Sequence, residues 1–99
     1  MAKLFSLAWN LIEIIKAGEL WDKRLEVLEI VGRMLLLIVE ILRDNPAFMT
    51  TPVEPPETLE ECILEIEQAR KANPEALAVP GIVTCQQLCY LVLQELRTK

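Results

Sequence analysis

Apolar and polar residues recur along this chain with the period of a helix, in four separate blocks. At about 100° per residue, Leu4, Leu7, Ala8, Leu11, Ile12, Ile14 and Ile15 cover one half of a helical wheel, with Phe5 at its margin. Lys3, Ser6, Asn10, Glu13 and Lys16 cover the other half. This predicts an amphipathic helix over residues 3–17, with Gly18 placed to end it. Trp9 falls near the polar boundary, where an indole buries its body and keeps its N–H wet.

The second block, residues 19–44, is different. Asp22, Glu26, Glu29, Arg33, Glu40 and Asp44 share one narrow stripe, and nearly everything else is apolar, from Leu20 and Trp21 to Ile41 and Leu42. A helix apolar around about three quarters of its circumference is expected to be enclosed by other helices, with only its acidic stripe reaching water. Gly32 stands in mid-helix, where glycine costs about 1 kcal/mol against alanine. Its expected use is to let a neighbouring helix come close. The Asn45-Pro46 step stops this helix, because the residue before proline is pushed out of the α region.

Residues 45–56 carry Pro46, Pro52, Pro55 and Pro56 and read as a stiff, proline-rich crossover, with Phe48 and Met49 as anchors onto the core. A third helix follows over 57–72. Thr58 and Glu61 have capping-box spacing, the acidic first turn suits the helix dipole, and Leu59, Cys62, Ile63, Ile66 and Ala69 form one apolar stripe. Asn73-Pro74 closes it, with room for a short turn over 75–78 before Pro80-Gly81 breaks the chain again. The fourth helix is expected over 84–97, capped by Thr84 and Gln87, with Cys85, Leu88, Cys89, Val92, Leu93 and Leu96 on its apolar face. The fold class that emerges is all-α: a single four-helix, bundle-like domain of two helical hairpins joined by the crossover.

Composition narrows the function classes. The hydrophobic fraction is 53% in only 99 residues, slightly above the ~45–50% of ordinary globular chains. That surplus favours a protein partner or a homo-oligomer that completes the core. A net charge of −5 without a basic stripe speaks against nucleic-acid binding, which depends on lysine and arginine neutralising phosphates. The longest strongly apolar run, Met34 to Val39, lies between Arg33 and Glu40, far short of the ~20 residues a spanning helix needs. Three cysteines, an odd number, suit a reducing compartment, so the expected location is cytoplasmic.

The chain has no histidine. This removes the commonest general base, the usual nucleophile dyads and imidazole metal ligation together. The glycines stand apart at 18, 32 and 81, so no phosphate-cradling loop exists. No enzyme activity, cofactor or metal is therefore expected. Cys85 and Cys89 share a helix face, and Cys62 opposite them could bring three thiolates together. Their spacing is not that of a zinc or iron–sulfur knuckle, and all three sit on apolar stripes as packed cysteines do. A disulfide from Cys62 to one of the pair is conceivable on oxidation. The carboxylates Glu57, Glu60, Glu61, Glu65 and Glu67 spread around the outer side of the third helix and read as a solvated face.

The functional expectation is a non-enzymatic interaction module: a self-associating scaffold, an adaptor or an assembly subunit. Two alternatives stand beside it. One is a peripheral membrane protein using the helix at 3–17, although that helix has few basic residues for a lipid surface. The other is a small acidic regulator or inhibitor of another protein. The candidate interface residues are Trp9, Trp21, Phe5 and Phe48, because aromatic anchors are enriched at interface hot spots. Core packing is the alternative for Trp21.

Overall fold

The computed structural model describes residues 2–49, 54–72 and 79–98. Among these, four α-helices and one 3-10 turn make up the fold, with no strand: α1 (Ala2–Lys16), α2 (Arg24–Asp44), the 3-10 turn Pro46–Met49, α3 (Leu59–Ala72) and α4 (Val79–Arg97). The all-α, four-helix reading of the sequence holds.

Where the helices begin differs in two places. Gly18 adopts a left-handed φ of +71°. Its N–H donates to the Ile15 carbonyl at 3.1 Å, and the Glu19 N–H reaches back to Ile14 at 3.1 Å. These two bonds are the Schellman closure, which satisfies carbonyls orphaned at a helix end. The chain then needs a few residues to reverse. The Lys23 N–H bonds the Glu19 carbonyl at 2.9 Å, and continuous helix starts only at Arg24. The expected start at residue 19 is thus five residues too early.

The fourth helix errs in the opposite sense. It runs from Val79 through Pro80 and Gly81 without a break. A first-turn proline loses nothing, since its missing N–H would have no intrahelical acceptor there. Thr84 therefore stands inside the helix and does not cap it. It is buried, and its hydroxyl donates to Glu65 Oε2 of α3 at 2.7 Å.

The other ends match their signals. The Glu61 N–H donates to Thr58 Oγ1 at 3.1 Å, the expected half of a capping box, while Glu61 Oε2 accepts from the Glu57 N–H at 3.2 Å in place of Thr58's own. Asn45 ends α2, its backbone N–H and its side-chain amide both donating to the Ile41 carbonyl at 3.0 Å. The Asn73-Pro74 stop, the turn at 75–78 and the side chains of Phe48 and Met49 lie outside the described residues.

The packing order explains the rest. α1 pairs with α2 and α3 with α4, as two hairpins; between the hairpins, α2 lies against α4 and α1 against α3. The ring therefore runs α1, α2, α4, α3, with α2 and α3 on a diagonal. The Cα radius of gyration of 12.9 Å is that of a compact chain of this length, about 13 Å per 100 residues. The second hairpin thus folds back on its own chain. The core is lined by Leu4, Leu11 and Ile12 of α1, Val27, Met34 and Ile38 of α2, Cys62 and Ile66 of α3, and Ile82, Leu88 and Val92 of α4.

This ring corrects the expectation for α2. Two flanking helices cover only part of a cylinder, so the helix is not enclosed. Val27, Ile30, Val31, Met34 and Ile38 are buried, but water reaches much more than the acidic stripe.

Candidate interaction site

The uncovered side of α2 begins in the turn before it and runs along the helix. Leu25 is 79% exposed, Leu36 67%, Val39 48%, Leu28 45%, Trp21 40% and Leu35 36%. Along the helix the members at 25, 28, 35 and 39, with Gly32 between them, follow steps of three and four residues. That spacing keeps one stripe on one side of a helix. It lies roughly 130° around from the buried set, at 100° per residue. A methyl group at Gly32 would meet no atom within 4 Å. Among the described residues, no helix stands where the glycine was expected to admit one.

The strip amounts to some 500 Å² of apolar surface, within the ~300–600 Å² of the largest patches on monomers, which often mark interaction sites. Its polar margin is modest. Arg33 Nη2 meets Glu29 Oε1 at 2.7 Å, with both side chains largely exposed, so the pair contributes about 0.3–0.5 kcal/mol. Arg24 lies over the Trp21 ring at 4.9 Å and donates to the Trp21 carbonyl at 3.1 Å. This fixes the indole at the N-terminal end of the strip, where it also lines a small cleft of about 230 Å³ with Ile15, Leu20, Leu59 and Leu96.

The aromatic candidates thus part company. Trp21 belongs to the exposed strip. Phe5 is buried in the core with Leu4, Ala8, Leu11, Ile12 and Ile14 of the same helix, while Leu7 and Ile15 are partly buried. Trp9 is half-buried beneath two cations, with the Arg70 guanidinium at 4.1 Å and Lys16 Nζ at 6.0 Å from the ring centre. Lys16 in turn pairs with Glu67 at 3.1 Å, so this cluster ties α1 to α3. The side chain of Phe48 is outside the described residues. Leu25, Leu28, Leu35, Leu36 and Val39 were not singled out from the sequence, because their hydrophobicity reads as core. The signal that could have separated them was the second set of three-and-four steps, offset from Val27, Val31, Met34 and Ile38.

No protein-family model, curated protein or solved structure matches this chain.

The three thiols are free and buried. Burial pushes Cys85 and Cys89 up to about 12; the neighbouring thiols add to the effect at Cys85. Cys62 rises to about 11, first through burial and then through the nearby carboxylates of Glu65 and Glu61. Burial thus disfavours the thiolate, the nucleophilic form of cysteine, at all three positions. Cys89 Sγ points at Met34 Sδ, 3.8 Å away, a packing contact between α4 and α2. Among the described residues, no group of three or more histidine, cysteine or acidic side chains is placed to hold a metal. No helix among them is long and apolar enough to cross a membrane. An open groove of about 530 Å³ between the start of α3 and the end of α4 is lined by Thr58, Leu59, Leu91 and Gln94, with the carboxylates of Glu60 and Glu95 among its described residues.

Proposed function

We propose that the protein is a non-enzymatic interaction module that uses the outer face of α2 to dock a helix. One observation carries this reading. The hairpins close a core without help, yet α2 still presents a continuous aliphatic strip with a bare glycine in the middle. Large side chains this exposed contribute little to a monomer's stability and lower its solubility, so a strip of this length on one helix speaks for a partner. Three buried free thiols fit a reducing, cytoplasmic setting. The membrane reading through α1 has lost its contact surface, since Leu4, Phe5, Ala8, Leu11 and Ile12 are spent on the core.

The test is photo-crosslinking with benzoylphenylalanine placed at position 36, and at position 64 of α3 as an exposed control on another helix, in cells that make the protein. Adducts are expected from position 36 and to disappear when Leu25→Glu is added. Equal labelling from both positions, or no adduct to any protein from position 36, would refute the reading.

A further inference from the structure

We propose that the occupant of this face is a second copy of the same chain, with the two α2 helices antiparallel and crossing at Gly32. This rests on the reading of the α2 outer face as an interaction surface. The first support is the symmetry of the strip about its glycine. Leu25 and Val39 stand seven residues to either side of Gly32, and Leu28 and Leu36 stand four residues to either side. All four are exposed. A two-fold axis at Gly32 reverses the helix direction. It sets Leu25 against Val39 of the second copy, Leu28 against Leu36, and glycine against glycine. Four of the six exposed residues of the strip thus meet an aliphatic partner across the axis, residue i against j and j against i, as in an isologous contact, while Leu35 falls opposite Glu29.

Gly32 itself is the second support. Glycine weakens a helix interior, and among the described residues no neighbour uses the space it leaves. At a helix crossing that space lets two backbones approach and brings the flanking leucines into contact. The third support is area. With on the order of 500 Å² of apolar strip from each copy plus its polar margins, the pair reaches the lower part of the ~1,200–2,000 Å² range of specific interfaces. The Trp21 indoles would then close the two ends of the contact.

Sedimentation equilibrium of the full chain between about 1 and 100 µM, concentrations at which micromolar affinities are resolved, tests the assignment. The expected result is a mass rising to twice the 11.3 kDa of the chain. Leu36→Glu and Leu25→Glu should each shift the midpoint at least tenfold to higher concentration, with the far-ultraviolet dichroism unchanged. Leu64→Glu, which changes an exposed leucine on α3, should leave it alone. Orientation is read from a spin label on Glu40→Cys, since the native thiols are buried. Position 40 lies eight residues beyond Gly32, so an antiparallel crossing separates the two labels by about 24 Å along the axis at 1.5 Å per residue. A parallel pair would bring them side by side. A monomer throughout the range, a dimer indifferent to both Leu36→Glu and Leu25→Glu, or labels in close contact would each overturn the proposal. A monomer that still gives adducts from position 36, all of them with other proteins, would leave the docking face standing and remove only its self-pairing.

Discussion

Met34 and Leu36 lie two positions apart on the same helix and are of similar size, yet the fold uses them in opposite ways. Met34 is fully buried at the contact between α2 and α4. Truncating it to alanine leaves a cavity walled by helices that cannot collapse freely. Such substitutions cost about 2–5 kcal/mol, and the central position puts this one near ~3 kcal/mol within that range. Against a domain stability of about 5–15 kcal/mol, that is about a fifth to three fifths of the total. Leu36 keeps two thirds of its surface in water, so folding of the monomer removes only a third of it. A third of the ~1.5–3 kcal/mol for a fully buried leucine is about 0.5–1 kcal/mol, partly offset by alanine's better helix propensity. Urea unfolding followed at 222 nm, with the chain near 1 µM, should therefore separate Met34→Ala from Leu36→Ala by roughly 2 kcal/mol or more. Raising the concentration should stabilise the wild type and Met34→Ala by mass action and Leu36→Ala much less, because association adds to the stability of the folded state. Equal losses at the lowest concentration would mean that the outer face of α2 is covered within one chain, and the reasoning would fail.

The two glycines should respond with opposite signs. Gly18→Ala places a side chain on a left-handed residue and should lower stability by about 1–2 kcal/mol, while Gly32→Ala at low concentration should raise it by about 0.8–1 kcal/mol; matched urea midpoints check both. The buried thiols set an alkaline limit. Their folded pKa values of about 11 to 12 lie above the ordinary 9.0, so between these values the unfolded chain holds fewer protons than the folded one. The thiols' contribution to stability should be fully present well below pH 9 and then be lost with rising pH, by at most about 1.4 kcal/mol per unit for each cysteine. An unchanged urea midpoint between pH 8 and pH 10.5, or thiolate absorbance at 240 nm titrating near 9 in the folded protein, would contradict this. Thr84→Val removes the 2.7 Å bond to Glu65 while keeping the volume, and should cost about 1 kcal/mol in thermal or urea unfolding, because the exposed carboxylate of Glu65 can turn to water.

Much of this fold is readable from local pattern, and the exceptions have a common cause. The apolar half of α1, the Thr58 cap and the Asn45 stop are decided within one or two turns of chain, so periodicity and side-chain chemistry find them. The start of α4 is not decided locally. Pro80-Gly81 is a break signal in isolation, and it is tolerated because it falls in a first turn whose amides need no helical partner. The outer face of α2 is harder still. A helical wheel counts apolar residues but does not say on which sides neighbours will stand. That depends on α4 docking beside α2 while α3 takes the diagonal, an arrangement set by the whole bundle. Trp21 was visible as a candidate because it is aromatic, whereas Leu25 and Leu36 were hidden by being the commonest kind of core residue. Phe5 shows the converse, an aromatic that the core consumes.

The seam between the two hairpins is held almost entirely by contacts without direction. The polar ties described across it are the Lys16–Glu67 pair and the stacking of Arg70 on Trp9, both near the surface; inside, aliphatic groups and sulfur meet. Shape and volume therefore specify the docking, and exchanges that conserve volume cost under about 1.5 kcal/mol apiece. Most interior positions are thus free to drift among leucine, isoleucine, methionine and valine while the bundle persists. Gly18 is different, because a left-handed backbone admits few alternatives. Gly32 is different for another reason: among the described residues nothing occupies the space beside it, and alanine there would favour the helix of the monomer.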